Sequence, residues 1–297
     1  MHLSTLFNLK KVMYIILTEK CASLFPDKLY LQIKWWFIMG TRLDLASPKT
    51  FNEKIQWLKL NMRRDDFTNM VDKITAKDYV REILGIKYII PTLKVWNAVE
   101  EIDFKSLPQR FVIKTSHDSG GVIVCHDKLT LDEASIKKKL FKSWHKNYFT
   151  ENREYPYKNI VPRILVEELL DDGTANTLMD YKCMCYNGRC EQIFVCSNRD
   201  VGLQIDFYDR EWNHLPFQRH YPNSPHIISR PAALEELLAV ADKLATAISH
   251  PFVRLDFYYV NSHVYFGEIT FFPGTGMEEF TPSEWDRVLG DMIKLPV

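Results

Sequence analysis

The stretch 254–276, RLDFYYVNSHVYFGEITFFPGTG, decides how this chain is read. Arg254, Asp256 and Tyr258 alternate with Leu255, Phe257 and Tyr259, the period-two pattern of a strand with one polar and one apolar face. A second run, 264–271, carries Glu268 and Thr270 in the same period. Between them, Asn261-Ser262-His263 has the turn chemistry of a short hairpin loop. With a three-residue loop, Asp256 pairs with Glu268 and Arg254 with Thr270 on one side of the ribbon. Two opposed carboxylates repel, and one takes up a proton unless a cation lies between them. A hard cation such as Mg²⁺ suits the pair, because it usually takes one or two protein carboxylates and completes its shell with water and phosphate. The same residues also suit a surface hairpin with two solvated acids.

The rest of the sequence bounds the choice. A chain of 297 residues can hold one large domain or a few smaller lobes. Its 38 Lys and Arg balance 38 Asp and Glu, so no field of one sign points to nucleic acid or to an acidic membrane. Six cysteines include no CxxC pair, and Cys183 and Cys185 alternate with Met184, which reads as core packing in a reducing, cytoplasmic setting. The apolar run 12–17 is much shorter than the roughly 20 residues a membrane-crossing helix needs. Trp35, Trp36, Phe37 and Ile38, with Lys34 and Arg42 nearby, either pack on the main body or touch a membrane interface.

Residues 1–60 read as a helical lead-in that serves packing, with Thr50 and Glu53 as a capping box for 50–60. Residues 61–297 read as an α+β body in two lobes, about 72–165 and about 166–297. A helix is expected from Asp72 to Leu84 and ends at Gly85. In FVIKTSHDSGGVIVC, 111–125, two strands flank a turn of Ser116, His117, Asp118, Ser119, Gly120 and Gly121. Small residues let backbone N–H groups approach an anion, and Lys114 adds charge at the strand end, although a plain hairpin uses the same residues. The run 163–170, RILVEELL, reads either as a nucleotide hinge or as an interlobe strand. Asn187-Gly188 is a hairpin turn between strands that carry Asp180 and Lys182 on one side and 192–196 on the other.

Taken in order, Asp72-Lys73, Lys114 before the small-residue turn, VEELL, Asp180-x-Lys182 with Arg199, and Arg254-x-Asp256…Glu268-x-Thr270…Pro273-Gly274 resemble the ATP-grasp superfamily. The segments TFNEKIQWLKL, VDKITAKDYVREILGIKYIIP and FVIKTSHDSGG are most similar to its TupA-like branch, named for teichuronopeptide biosynthesis. The resemblance implies an ATP-grasp fold in which two α+β lobes clamp a nucleotide behind a helical N-terminal extension. It implies that Lys73 and Lys114 hold phosphates under a loop of Ser116, His117, Ser119, Gly120 and Gly121. It places Glu167, Glu168, Leu169 and Leu170 at the adenine and Asp180 at the ribose. Lys182 and Arg199 stand where related branches carry D-x-R and a later arginine, with Lys182 replacing an arginine. Asp256 and Glu268 match the Mg²⁺ ligands, with Thr270 where the family usually has asparagine, and Arg254 is placed to stabilise a tetrahedral intermediate.

The resemblance further implies ATP and Mg²⁺ as cofactors and a carboxylate activated by phosphorylation, then attacked by an amine. The branch's company of surface-polysaccharide genes, of the capsule or O-antigen kind, implies a sugar uronate as the acid and an amino acid or other amine as its partner. A sugar kinase, a glycosyltransferase and a non-catalytic nucleotide-binding protein are the alternatives. They part from a ligase on whether ADP release requires both a carboxylate and an amine.

Overall fold

The computed structural model of the chain describes residues 12–16, 22–171, 173, 178–197 and 202–296. Two antiparallel sheets carry the body. The first is built from β1 (Thr92–Trp96), β2 (Phe111–Thr115), β3 (Val122–Cys125) and β4 (Ile164–Glu167), in the order β1-β4-β2-β3. The hairpin expected at 111–125 forms, with Lys114 opposite Val122 at its mouth. Helix Glu133–Trp144, capped by Asp132, lays Ile136 and Leu140 on the inner residues Phe111, Ile113, Ile164 and Val166.

The second sheet takes β5 (Asp180–Tyr186), β6 (Arg189–Ser197) and β7 (Gln204–Asp209), then, after the short β8 (Gln218–Arg219), β9 (Phe252–Val260) and β10 (His263–Thr270). Its order is β10-β9-β5-β6-β7, and β8 pairs instead with β11 (Phe280–Thr281). The β5–β6 turn uses Asn187 and Gly188, both at positive φ, as expected of a tight hairpin. Helix Leu234–Ile248 buries Leu237, Leu238, Ala241, Leu244, Ala245 and Ile248, one stripe at helical spacing. That stripe shares a core with Cys183, Ile193 and Leu255, so the alternate residues of these strands face the other way.

Two local expectations change. The β9–β10 turn has two residues, Asn261 and Ser262, both at positive φ, and His263 already belongs to β10. A bulge at Gly267 then shifts the ladder by one, so that Glu268 pairs with Asp256 and Thr270 with Arg254 after all. The helix expected from Asp72 to Leu84 begins only at Thr75 and runs to Leu84, after a separate short helix, Phe67–Val71. Asp72 stands between them, its Oδ1 accepting N–H from Ile74 at 2.8 Å and Thr75 at 3.1 Å.

The lead-in does more than pack. Its helices are Asp27–Met39 and Phe51–Asn61, the second with the expected Thr50–Glu53 capping box. From the second helix, Gln56 Nε2 donates to the carbonyls of Thr275 (2.9 Å) and Gly276 (2.7 Å), and Lys59 Nζ to Thr275 O and Oγ1, both 2.8 Å. These bonds hold the turn Pro273–Gly276, which borders the cavity between the sheets. Gly276 has φ +62° and a Cβ there would lie 2.4 Å from Ile55 Cγ2, so the close approach of helix and turn requires glycine.

Candidate functional site

A cavity of about 970 Å³ opens between the two sheets and takes residues from both. On the second sheet, one line of paired residues crosses all five strands: Glu268, Asp256, Lys182, Phe194 and Phe207. All five line the cavity. Its β10-β9-β5 half is charged and its β6-β7 half apolar.

The charged half is closed by cations. Arg254 grips Asp256 with two bonds, Nε–Oδ1 at 2.7 Å and Nη2–Oδ2 at 2.9 Å. The same Nη2 reaches Glu268 Oε1 at 2.5 Å and Thr270 Oγ1 at 3.0 Å. Lys182 Nζ lies 2.6 Å from Asp180 and also bonds Asp256. Arg254 therefore bridges the two opposed carboxylates, which is what their pairing demanded. Burial, with Asp180 and Glu268 adding to it, pushes Asp256 up to about 6 in spite of Arg254 and Lys182. Burial acts the same way on Glu268, but Arg254, Lys73 and Lys182 outweigh it and hold that carboxyl well below its usual range. Lys182 sits above the usual lysine value: burial lowers it, and Asp256 and Asp180 more than offset this. Thr270, behind this row, donates its hydroxyl to Glu268 Oε1 at 3.0 Å and does not itself line the cavity.

Across the cavity, the first sheet contributes Lys114 and Glu167, paired at 2.5 Å. Glu167 has a second cation, Lys77, whose Nζ also donates to Ile90 O (2.8 Å) and Thr92 Oγ1 (2.9 Å). Burial opposes ionisation of Glu167, but Lys114 and Lys77 prevail and lower its pKa. Glu168 lies beyond the end of β4, and its N–H is bonded to Pro91 O at 3.1 Å. Leu169 and Leu170 follow it along the cavity wall.

The turn after β2 is tied down from below. Lys73 donates its backbone N–H to Ser116 O (2.9 Å) and its Nζ to Asp118 O (2.8 Å), and burial pulls its amine below the usual value. Asp118 is held by Ser143, by Tyr148 at 2.9 Å and by Lys146 at 3.3 Å. Ser119 Oγ meets Tyr148 OH at 2.6 Å. Lys73, Lys114 and Ser119 line the cavity, whereas Ser116, His117, Gly120 and Gly121 do not. Ser116 and His117 are buried, and burial lowers the His117 pKa. A Cβ on Gly121 would come 2.3 Å from Ser143 Oγ and 2.6 Å from Thr115 Oγ1, so this glycine serves close packing.

Of the residues singled out in the sequence, the cavity brings together Lys73, Lys114, Ser119, Glu167, Glu168, Leu169, Leu170, Asp180, Lys182, Arg254, Asp256 and Glu268. Arg199 lies outside the described residues. Sequence reasoning missed Lys77, whose signal was its place one helical turn after Lys73 beside buried Ala76 and Val80. It also missed Arg219 and Glu278, which sit in stretches without periodicity. Among the described residues, no three His, Cys, Asp or Glu side chains gather as a metal-holding group.

Two antiparallel sheets that close on one cavity, with lysines on one and an acid–cation row on the other, define the class as an ATP-grasp fold. Residues 53–294 match the model of the TupA-like ATP-grasp family, and the chain belongs to that family. No curated protein matches it. Among solved structures it is similar to the D-alanine–D-alanine ligase of Bacillus anthracis complexed with ATP, at 17% identity and TM-score 0.45, over 75% of this chain and 65% of that one. It is similar also to the ATP-grasp ligase PsnB complexed with a phosphomimetic variant of a minimal precursor, Mg and ADP (10%, TM-score 0.45, 82% and 65%). A third is the D-cycloserine synthetase DcsG (11%, TM-score 0.41, 76% and 71%). The chain thus spans about 65% of the length of the first two.

Proposed function

We propose that this protein is an ATP-dependent carboxylate–amine ligase. The observation that carries the reading is the row Glu268-Asp256-Lys182 with Arg254 across it, in one cavity with Lys73 and Lys114. Lys73 and Lys114 neutralise nucleotide phosphates under the Ser116–Gly121 turn, in which Ser119 faces the cavity. The backbone of Leu169 and Leu170 reads the adenine edge, because the Glu168 N–H is already bonded and Glu167 anchors Lys114. Asp180 takes the ribose.

The donor set fits Mg²⁺. Asp256 and Glu268 offer hard carboxylate oxygens, Glu268 is held ionised, and a site with only two protein carboxylates suits an ion that keeps water and phosphate in its shell. Thr270 can add only a hydroxyl. When bound there, the ion would neutralise charge on the transferring phosphoryl group.

A carboxylate oxygen of the acid attacks the γ-phosphorus, the bond to the bridging oxygen breaks, and ADP leaves. The amine nitrogen then bonds to the acyl carbon, the acyl C–O bond to phosphate breaks, and the amine gives up one proton. Arg254, with Lys182 beside it and Arg199 as a further cation, stabilises the oxyanion of the tetrahedral intermediate. We take the acid to be a uronate of a surface polysaccharide or its precursor, and the amine an amino acid or a related amine. The TupA-like family supports this reading.

The lead-in fits peripheral contact with an anionic membrane. Among the described residues no helix is long and apolar enough to cross a bilayer. Trp35 is buried and Ile33 packs on the same core, but Leu29 and Trp36, two helical turns apart, are exposed, Trp36 by 50%. In residues 1–49, seven Lys and Arg stand against three Asp and Glu, although the whole chain is neutral.

The test is ADP release from ATP and Mg²⁺ with uronic acids crossed against amino acids. The expected result is release only when both an acid and an amine are present, with amide in the product. Release with a sugar and no amine means a kinase. Tight ATP binding without turnover for any pair means a non-catalytic binder.

A further inference from the structure

Arg219 is a cavity cation that neither the nucleotide side nor the metal side uses. It lies in β8, on a wall that the β8–β11 ribbon and the Pro273–Gly276 turn give to the cavity. The residue is buried, 6% exposed. Its Nε and Nη2 both turn to one carboxylate oxygen, Glu278 Oε2, the first at 2.6 Å. The third nitrogen, Nη1, is buried and has no acceptor among the described residues. A guanidinium is built to grip two oxygens as a fork, and here a single oxygen occupies one edge. Leaving a buried donor without an acceptor costs free energy that an anion at that edge would recover.

The seat is purpose-shaped. Glu278 reaches Arg219 across Gly274, where a Cβ would fall 2.0 Å from Glu278 Oε2 and φ is +57°. Only glycine leaves that path open. The guanidinium carbon stands 6.0 Å from the centroid of the Phe194 ring, and the Arg254 guanidinium carbon stands 6.0 Å from the same centroid. Arg219 and Arg254 thus line the same cavity about one ring, while Arg219 belongs to elements that carry none of the nucleotide-side residues.

We infer that Arg219, positioned by Glu278 and Gly274, binds the carboxylate of the amine-bearing substrate, so that this substrate is an amino acid and not a simple amine. The inference rests on the ligase reading. There the phosphate of the acyl phosphate departs toward the lysines, so the amine must approach from another wall. Near Arg254, the other wall carries Arg219, which Glu278 holds by one edge and whose Nη1 has no acceptor among the described residues. Lys114 belongs to the phosphate side and shares Glu167 with Lys77, and Lys182 and Arg254 are bonded to Asp180, Asp256 and Glu268. A carboxylate held there fixes the amino group in reach of the acyl carbon.

The experiment uses the full chain with Mg²⁺ and a non-hydrolysable ATP analogue. Saturation-transfer NMR compares the common amino acids with the amines that lack their carboxylate. At least one amino acid should bind and its decarboxylated amine should not. Arg219→Gln should weaken amino-acid binding about 10- to 100-fold, as expected for loss of a charge-assisted contact, with analogue affinity unchanged within about twofold. Glu278→Gln, which keeps Arg219 and frees its edge, should bind the amino acid at least as well as the natural protein. If Arg219→Gln does not fold, Arg219→Lys must show the same selective loss. Equal binding of amine and amino acid, unchanged binding in the Arg219 variant, or no amino-acid binding at all overturns the inference. ADP release and product analysis run in parallel. Amide formed equally well from simple amines sinks this inference and leaves the ligase reading standing. Selective amino-acid binding without ADP release for any acid does the reverse.

Discussion

Glu167 is the residue on which the first sheet's chemistry turns, and its two lysines separate stability from binding. Both pair with one buried carboxylate, but only Lys114 lines the cavity. Breaking a buried ion pair costs about 3–5 kcal/mol because a charge is left uncompensated, although Glu167 keeps one partner in either variant, which places the loss near the lower figure. Lys77→Met should therefore lower unfolding free energy by about 3 kcal/mol and leave ATP affinity intact. Lys114→Met should lower both, as denaturation and calorimetry will read. On the second sheet Arg254 and Glu268 divide differently. Arg254→Lys keeps a charge against Asp256 and Glu268 but loses the planar grip seen at 2.7 and 2.9 Å. Turnover should fall about 10²–10³, the range for a lost oxyanion donor, and added Mg²⁺ should not restore it. Glu268→Gln should be partly restored by Mg²⁺, and equal rescue of the two variants would refute the division of roles.

At the scale of elements, the β9–β10 hairpin shows how a pairing can be right while its local cause differs. The sequence calls for Asp256 opposite Glu268 through a three-residue loop; the chain reaches that pairing through a two-residue turn and a bulge at Gly267. Deleting Gly267 should then leave a regular ladder in which Phe266 still pairs with Phe257, Glu268 with Asp256 and Thr270 with Arg254, so the charged row keeps its face and Ile269 stays in the core. The expected outcome is ADP release retained in the deletion variant, and loss of turnover in a folded deletion variant would show that the bulge itself, and not the pairing alone, sets the site. The alternation of 254–270 and the tight turn at Asn187-Gly188 were legible because period two and turn chemistry are local signals. Neither the bulge nor the break at Asp72 carries such a signal: each depends on what the segment meets elsewhere in the fold. Arg219 and Glu278 were illegible for the same reason, because their meeting is made by a two-residue ribbon and by Gly274.

At the scale of the whole molecule, acid and lipid are the two conditions that test the fold outside the cavity. His250 is buried among Phe67, Phe271 and Phe272, and burial pulls its pKa down to about 4. The unfolded chain takes up a proton near pH 6.5, so this histidine's contribution is complete above that value and is lost as pH falls to 4, up to about 3 kcal/mol. The difference in unfolding free energy between the natural protein and His250→Leu should shrink by that amount across the window, and a difference independent of pH would refute the assignment. The lead-in meets the other condition. Tyr14 meets Phe37 edge-on at 6.2 Å, and Val12, Met13, Ile15 and Ile16 are exposed, as are Leu29 and Trp36. Burying such side chains in an interface gains about 1.5–3 kcal/mol each when complete, and the exposed Lys28 and Arg42 add attraction for anionic lipid. The protein should sediment with vesicles that contain phosphatidylglycerol and far less with phosphatidylcholine alone. The double variant Leu29→Ser, Trp36→Ser should bind about tenfold more weakly, because even partial insertion of two such residues is worth at least one decade, while its ATP affinity stays the same. Equal binding to both vesicle types would refute an electrostatic contribution, and self-association that disappears in the double variant would assign these residues to a second copy of the chain instead of a membrane.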